Sequence, residues 1–134
     1  MDKIETPAIL ENLEKMIDFV VTFAEKEGFQ KETLGQIRLA CEEALVNVIN
    51  YAYPGKEGMF AVLCDTAGDG KISIEIADTG IPFDPLSLPA PDTSLPIEQR
   101  KIGGLGIFMV RKIMNEVHYR RDNGYNILTL IKHK

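Results

Sequence analysis

Glu43 and Asn47 stand four residues apart in the run CEEALVNVINYAY (residues 41–53), so on a helix they project from one face a turn apart. A carboxylate can accept a proton, and an amide oxygen is a hard neutral ligand of the kind Mg²⁺ takes. A second candidate is Asp78, which closes KISIEIAD and precedes Thr79-Gly80. A strand-end Asp before Thr-Gly most often makes only a turn. Its sharper reading is a buried carboxylate accepting a hydrogen bond from an exocyclic amine, such as the 6-amino group of adenine. Gly80 then permits tight backbone geometry and Pro82 stiffens the exit. The third candidate is KIGGLGIFMV, where Gly103, Gly104 and Gly106 precede a helical run and Arg100 and Lys101 lie just upstream. Helix N-terminal amides attract anions. The spacing is neither Walker A nor GxGxxG, so the familiar phosphate-loop motifs do not apply.

These residues need elements to hold them. Leu10, Leu13, Ile17, Val20, Val21 and Ala24 recur at helical spacing over residues 8–27, after Thr6-Pro7 as an N-cap and first-turn pair. Gly28 ends that helix, and a second runs from about Lys31 to Tyr53, stopped by Pro54-Gly55. On the second helix Leu34, Ile37, Cys41, Ala44, Leu45, Val48 and Ala52 share a broad apolar face. Gln36, Glu43, Asn47 and Asn50 form a narrow polar stripe opposite, flanked by Leu39 and Val46. Periodicity alone turns that stripe to water. Three carboxamides and a lone Glu among apolar neighbours are an unusual solvent face.

MFAVLCD and KISIEIAD read as strands joined by the hairpin TAGDG. Residues 81–102 hold five of the seven prolines with little periodicity, the mark of a lid or binding loop. A third helix follows GGLG through IFMVRKIMNEV, and VHYRR and YNILTLIK form a last hairpin across Asp122-Asn123-Gly124. The order predicts an α+β, two-layer sandwich with a mixed, mostly antiparallel sheet and helices on one face.

The totals narrow the function classes. A chain of 134 residues suits one domain spanning 1–134, with a lid at about 83–102. No apolar run is long enough to span a bilayer, and the acidic start is unlike a signal peptide, so a cytoplasmic location without membrane contact is expected. The formal charge of −5 argues against direct nucleic-acid binding, while Arg100, Lys101, Arg111, Lys112, Arg120 and Arg121 fall close together around the glycines, as ordinary solvated surface or, more sharply, as a local anion site. Cys41 and Cys64 sit in apolar runs and read as small buried hydrophobes in a reducing compartment.

EEALVN, DTGIPFDP and GGLGIFMV, in that order around a proline-rich lid, resemble the three nucleotide-binding boxes of the gyrase and sensor-histidine-kinase ATPase superfamily. The resemblance is closest to its small cytoplasmic branch, the anti-sigma-factor serine/threonine kinases. It covers essentially the whole chain, with YAYP after the first box and PFDP after the second. It implies the Bergerat type of ATP-binding sandwich, with ATP and Mg²⁺ as cofactors. Glu43 then matches the general base and Asn47 the Mg²⁺ ligand. Asp78, with Gly80 and Pro82, matches the adenine-recognising turn. Gly104, Leu105 and Gly106 match the hinge of the lid, with Gly103 and Lys101 on the phosphate side. Three positions depart from the pattern. Tyr51 stands where relatives often carry His, Ile102 where many have a lid Arg, and Tyr125 where the ATPases often have Thr, which leaves Thr129 as a substitute.

The implied activity is Mg-ATP-dependent phosphorylation of a Ser or Thr on an anti-sigma-factor antagonist, by a homodimer that also holds a sigma factor. The alternative is a nucleotide-dependent switch that sequesters a sigma factor or another regulator with little or no kinase activity. A third reading, a catalytic domain cut from a histidine kinase, lacks a dimerisation helix with a phosphoacceptor His and is disfavoured by a chain with its own start Met. Only His118 and His133 occur, in or beside the final strands.

Overall fold

Strict alternation builds the sheet and 3.6-residue periodicity builds the helices that cover it. The computed structural model describes residues 1–87 and 104–134. In chain order the elements are β1 (Asp2–Pro7), α1 (Leu13–Lys26), α2 (Lys31–Tyr51), β2 (Met59–Thr66), β3 (Lys71–Asp78), α3 (Gly104–Ile113), β4 (Glu116–Asp122) and β5 (Tyr125–His133). The strands lie in the order β1-β2-β3-β5-β4, so β5 inserts between β3 and β4. Every neighbouring pair is antiparallel, which replaces the mixed sheet expected from the sequence.

One face of this sheet is apolar. Phe60, Val62 and Cys64 of β2, Ile72, Ile74 and Ile76 of β3, and Leu128 and Leu130 of β5 are buried there with Met16, Ile17 and Val20 of α1 and Ile37, Cys41 and Leu45 of α2. Each such aliphatic side chain contributes about 1.5–3 kcal/mol on burial. α2 lies between α1 and α3, so one of its flanks packs on α1 while the other meets α3, and the candidate site forms along that second flank. Arg38 ties the α1 flank, pairing with Glu14 and Asp18. No helix among the described residues is long and apolar enough to cross a membrane.

Three boundaries differ from the sequence expectation. Thr6-Pro7 does not cap a helix: both belong to β1, an edge strand registered on β2 from Asp2–Cys64 to Pro7–Met59. Proline is tolerated at a strand end on a sheet edge. A 3₁₀ turn at Leu10–Asn12 intervenes before α1, and Leu10, counted toward the helical stripe, is exposed. The third helix stops at Ile113 instead of running to Val117, because β4 begins at Glu116. The β4–β5 hairpin turns as expected, on Asn123 (φ 49) and Gly124 (φ 84), the two positive φ values a type I′ turn requires.

Candidate functional site: a pocket between α2, β3 and β5

Asn47 is 8% exposed, although the sequence pattern set its stripe opposite the core. The correction follows from helix geometry: Asn47 is in line with buried Ala40, two turns back, so the stripe borders the core face. Its amide lines a pocket walled by Val48 of α2, Ile76 and Asp78 of β3, Phe83 and Pro85 beyond β3, Tyr119 of β4, and Asn126 and Leu128 of β5. Asn47 Nδ2 is buried without a hydrogen-bond partner among the described residues. An amide with an unused end in a pocket wall fits a ligand that brings its own polar atoms.

One turn earlier on α2, half-buried Glu43 faces α3. A Cβ at Gly106 would lie 2.5 Å from Glu43 Oε2, so only glycine lets the first turn of α3 pass this close to the carboxylate. Burial, reinforced by the charge of Glu42, holds the Glu43 carboxyl above the usual carboxylate range. Its conjugate base is correspondingly better at taking a proton.

Asp78 is 6% exposed at the end of β3, and the turn it opens leaves no backbone donor unmet. Thr79 N–H donates to Tyr53 Oη (2.9 Å), Gly80 N–H to Asp78 Oδ1 (2.9 Å), Ile81 N–H to Ala52 O (2.9 Å) and Phe83 N–H to Asn126 Oδ1 (3.3 Å). Pro82 has no N–H and occupies the one position where no acceptor is provided. The carbonyls are held too: Arg121 donates to Gly80 O (2.9 Å) and Asn126 Nδ2 to Ile81 O (2.8 Å). A Cβ at Gly80 would come within 2.6 Å of the carbonyl carbon and Cβ of Ala52. The glycine is therefore required by the approach of the turn to the end of α2.

Asn47, Asp78 and Gly80 thus meet around this pocket and its turn, with Glu43 beside it against Gly106. Pro82 is exposed and does not line the pocket, which is closed on that side by Phe83 and Pro85. Phe83 stacks on Tyr51 with ring centroids 5.5 Å apart. Gly104 and Leu105 open α3. Lys101, Gly103 and most of the lid expected at 83–102 lie outside the described residues.

Thr129 does not reach the pocket. Along β5 Asn126, Leu128 and Leu130 point toward the helices, so Thr129 projects from the other sheet face, registered between Glu75 and His118. The β5 residue that does reach Asp78 is Asn126, which sequence reasoning missed. A polar amide at an inward position of an alternating strand needs buried partners, and that signal was present in YNILTL. Cys41 and Cys64 are both fully buried, with burial pushing the Cys64 thiol up to about 12 and that of Cys41 higher still, which suits packing and not chemistry.

The fit of Mg²⁺ rests on the donor set. No trio of His, Cys, Asp or Glu among the described residues could cage a metal. A single amide oxygen supplemented by ligand oxygens and water is how Mg²⁺ is commonly held, so Asn47 fits such a cation only alongside a bound phosphate.

The histidine kinase-like ATPase domain matches residues 6–132, and the chain belongs to that family. The sequence is similar to the serine-protein kinase RsbW of Bacillus cereus (strain AH187), 28% identical over 109 residues, covering 78% of this chain and 68% of that kinase. The RsbW of Bacillus anthracis is 27% identical over the same length. Among solved structures, one of the RsbU and RsbW domains of a Mycobacterium tuberculosis protein superposes with a TM-score of 0.64 at 15% identity, covering 99% of this chain and 32% of that one. A blue-light-activated histidine kinase from Erythrobacter litoralis gives 0.57 at 14% identity, covering 90% and 60%. The chain spans about a third of the first of these structures. Both share its fold, and the RsbW relatives agree with the anti-sigma-factor kinase resemblance carried by the three motifs.

Proposed function

We propose that residues 1–134 act as one ATP-binding domain with a lid at about 83–102, and that it is a Mg-ATP-dependent serine/threonine protein kinase and anti-sigma regulatory factor. The observation that carries this is the pocket wall shared by buried Asn47 and Asp78, with Glu43 one turn from Asn47 against α3. Asp78 receives the adenine amine, and Asn47 offers its amide oxygen to Mg²⁺, which neutralises phosphate charge when bound. By the motif resemblance, Gly104, Leu105 and Gly106 serve as the hinge of the lid and the basic residue Lys101 serves the phosphates. Glu43 takes the proton of the acceptor hydroxyl as that oxygen bonds to the γ-phosphorus of ATP and ADP leaves. Such transfer asks the protein mainly for positioning and charge stabilisation. The motif resemblance points to an anti-sigma-factor antagonist as protein substrate, a sigma factor as the sequestered partner and a homodimer as the working form; the relatives named serine-protein kinase RsbW support the kinase activity.

Calorimetry with ADP and ATP, with and without Mg²⁺, tests the site. Asp78→Asn is expected to abolish binding and Asn47→Ala to remove only the Mg²⁺ dependence; a wild type that binds no nucleotide overturns the proposal. Glu43→Ala is expected to stop phosphoryl transfer while ATP still binds, and retained transfer removes Glu43 as base. Binding without transfer to any co-encoded antagonist favours the switch over the kinase.

The raised Glu43 carboxyl gives a pH signature. The base form is lost on acidification at a higher pH than for an ordinary carboxylate, so transfer falls early as pH drops. Glu42→Gln removes the neighbouring charge and is expected to move that limb to lower pH. The stability sign is opposite: a carboxyl raised in the folded state favours folding below its unfolded pKa, and that contribution is lost as pH rises through the folded value. Glu43→Gln is therefore expected to raise the melting temperature slightly at neutral pH.

A further inference from the structure

Asn126 is 6% exposed, and its carboxamide fills all four of its hydrogen-bonding positions. Nδ2 donates to Asp78 Oδ1 (2.9 Å) and Ile81 O (2.8 Å); Oδ1 accepts from Tyr119 Oη (2.6 Å) and Phe83 N–H (3.3 Å). The amide has only one orientation available. Phe83 N–H can only donate and Ile81 O can only accept, so the nitrogen must face Asp78. Oδ1 of Asp78 takes two donors, from Gly80 N–H and Asn126, while its Oδ2 takes none among the described residues. The asymmetry leaves Oδ2 as the free acceptor of a pocket that Asp78, Phe83 and Asn126 all line.

We infer that Asn126 is a positioning residue that makes discrimination of the base and the course of the chain leaving β3 a single device. The inference rests on the nucleotide-site reading above. One end of the amide fixes which carboxylate oxygen meets the base; both ends fix the backbone at Ile81 and Phe83, and hence the aromatic wall of the pocket. A base with a 6-amino group satisfies Oδ2. A 6-oxo base sets a lone pair against it and is rejected, because the pinned carboxylate cannot rotate to spare itself.

The test is equilibrium binding of ADP and inosine diphosphate, which differ at this group, to the wild type, Asn126→Asp and Tyr119→Phe. The wild type is expected to prefer ADP by roughly a hundredfold. Asn126→Asp keeps the shape and both acceptors but turns the donor end into an oxygen facing Asp78 Oδ1 and Ile81 O. It is expected to lose at least about tenfold of that preference. Lowering the pH should restore part of it, since two adjacent carboxyls share a proton that re-creates a donor toward Asp78. Tyr119→Phe leaves Phe83 N–H to hold the amide and should lose only a few-fold; it reads the same ratio if Asn126→Asp does not fold. Equal loss of both nucleotides, with the ratio and its pH response unchanged, would mean a merely structural role and overturns the inference. A wild type that binds both equally overturns the inference alone, whereas one that binds neither removes the nucleotide site with it.

Discussion

The two ends of β3 are turned by opposite means. Before it, residues 67–70 close the β2–β3 hairpin with their own backbone: Ala67 N–H meets Lys71 O, Lys71 N–H meets Gly68 O, and Gly68 and Gly70 supply φ values of 108 and 71. After it, residues 79–83 find partners from far along the chain, in Tyr53, Ala52, Arg121 and Asn126. The first turn closes through its own backbone, with Lys134 N–H on Gly70 O (2.8 Å) as an added tie from beyond β5, and it lines no part of the pocket. The second is a tertiary one, and its fixed geometry is what a binding carboxylate needs, because a preorganised acceptor has no rotameric freedom to lose when the ligand arrives.

That contrast can be broken by substitution. The largest effect is expected for Gly80→Ala, where the new methyl meets the Ala52 backbone and a shift must pass to α2; unfolding in urea should report a loss of about 2–3 kcal/mol, with weakened ADP binding. Tyr53→Phe removes the hydroxyl that receives Thr79 N–H and donates to Met59 O. It should cost about 1–2 kcal/mol by the same measurement and weaken ADP binding in step. Gly68→Ala is expected to be the mildest, about 1 kcal/mol of backbone strain in open space, with nucleotide affinity unchanged. If Gly68→Ala were to alter ADP affinity, the two ends of β3 would not be independent.

The same contrast explains what the sequence disclosed. TAGDG and Asp-Asn-Gly announce their hairpins because the turn chemistry lies in the turn residues themselves. Glu43, Asn47 and Asp78 were legible as candidate chemistry from residue type and spacing. That Asn47 borders the core was not, since periodicity leaves open how far round α2 burial reaches, and α3 and Phe83 closing over that flank extend it to the line of Ala40 and Asn47. β1 escaped notice because its short DKIETP has a pattern only when paired with β2. Asn126 was not legible because Tyr125, standing where relatives often carry Thr, shares the outward face of β5 with Thr129, whereas the partner of Asp78 sits at the inward position next to Tyr125. Local propensity finds elements; contacts distant in sequence decide which oxygen of Asp78 is free.

The insertion of β5 between β3 and β4 has a consequence for the order in which the protein comes into being. Near its start, Asn126 anchors the chain leaving β3; near its end, Lys132 Nζ donates to Ile113 O (2.6 Å) and Ile131 O receives Asn115 N–H (2.9 Å), fastening the end of α3. Both banks of the segment between β3 and α3 are thus moored to the strand translated after every other element described. A nascent chain carrying Glu43, Asn47 and Asp78 but not yet β5 has the chemical groups without the frame that aims them. Translation sets the hour at which this pocket can first close on a ligand, and a stalled chain short of β5 stays blind to it.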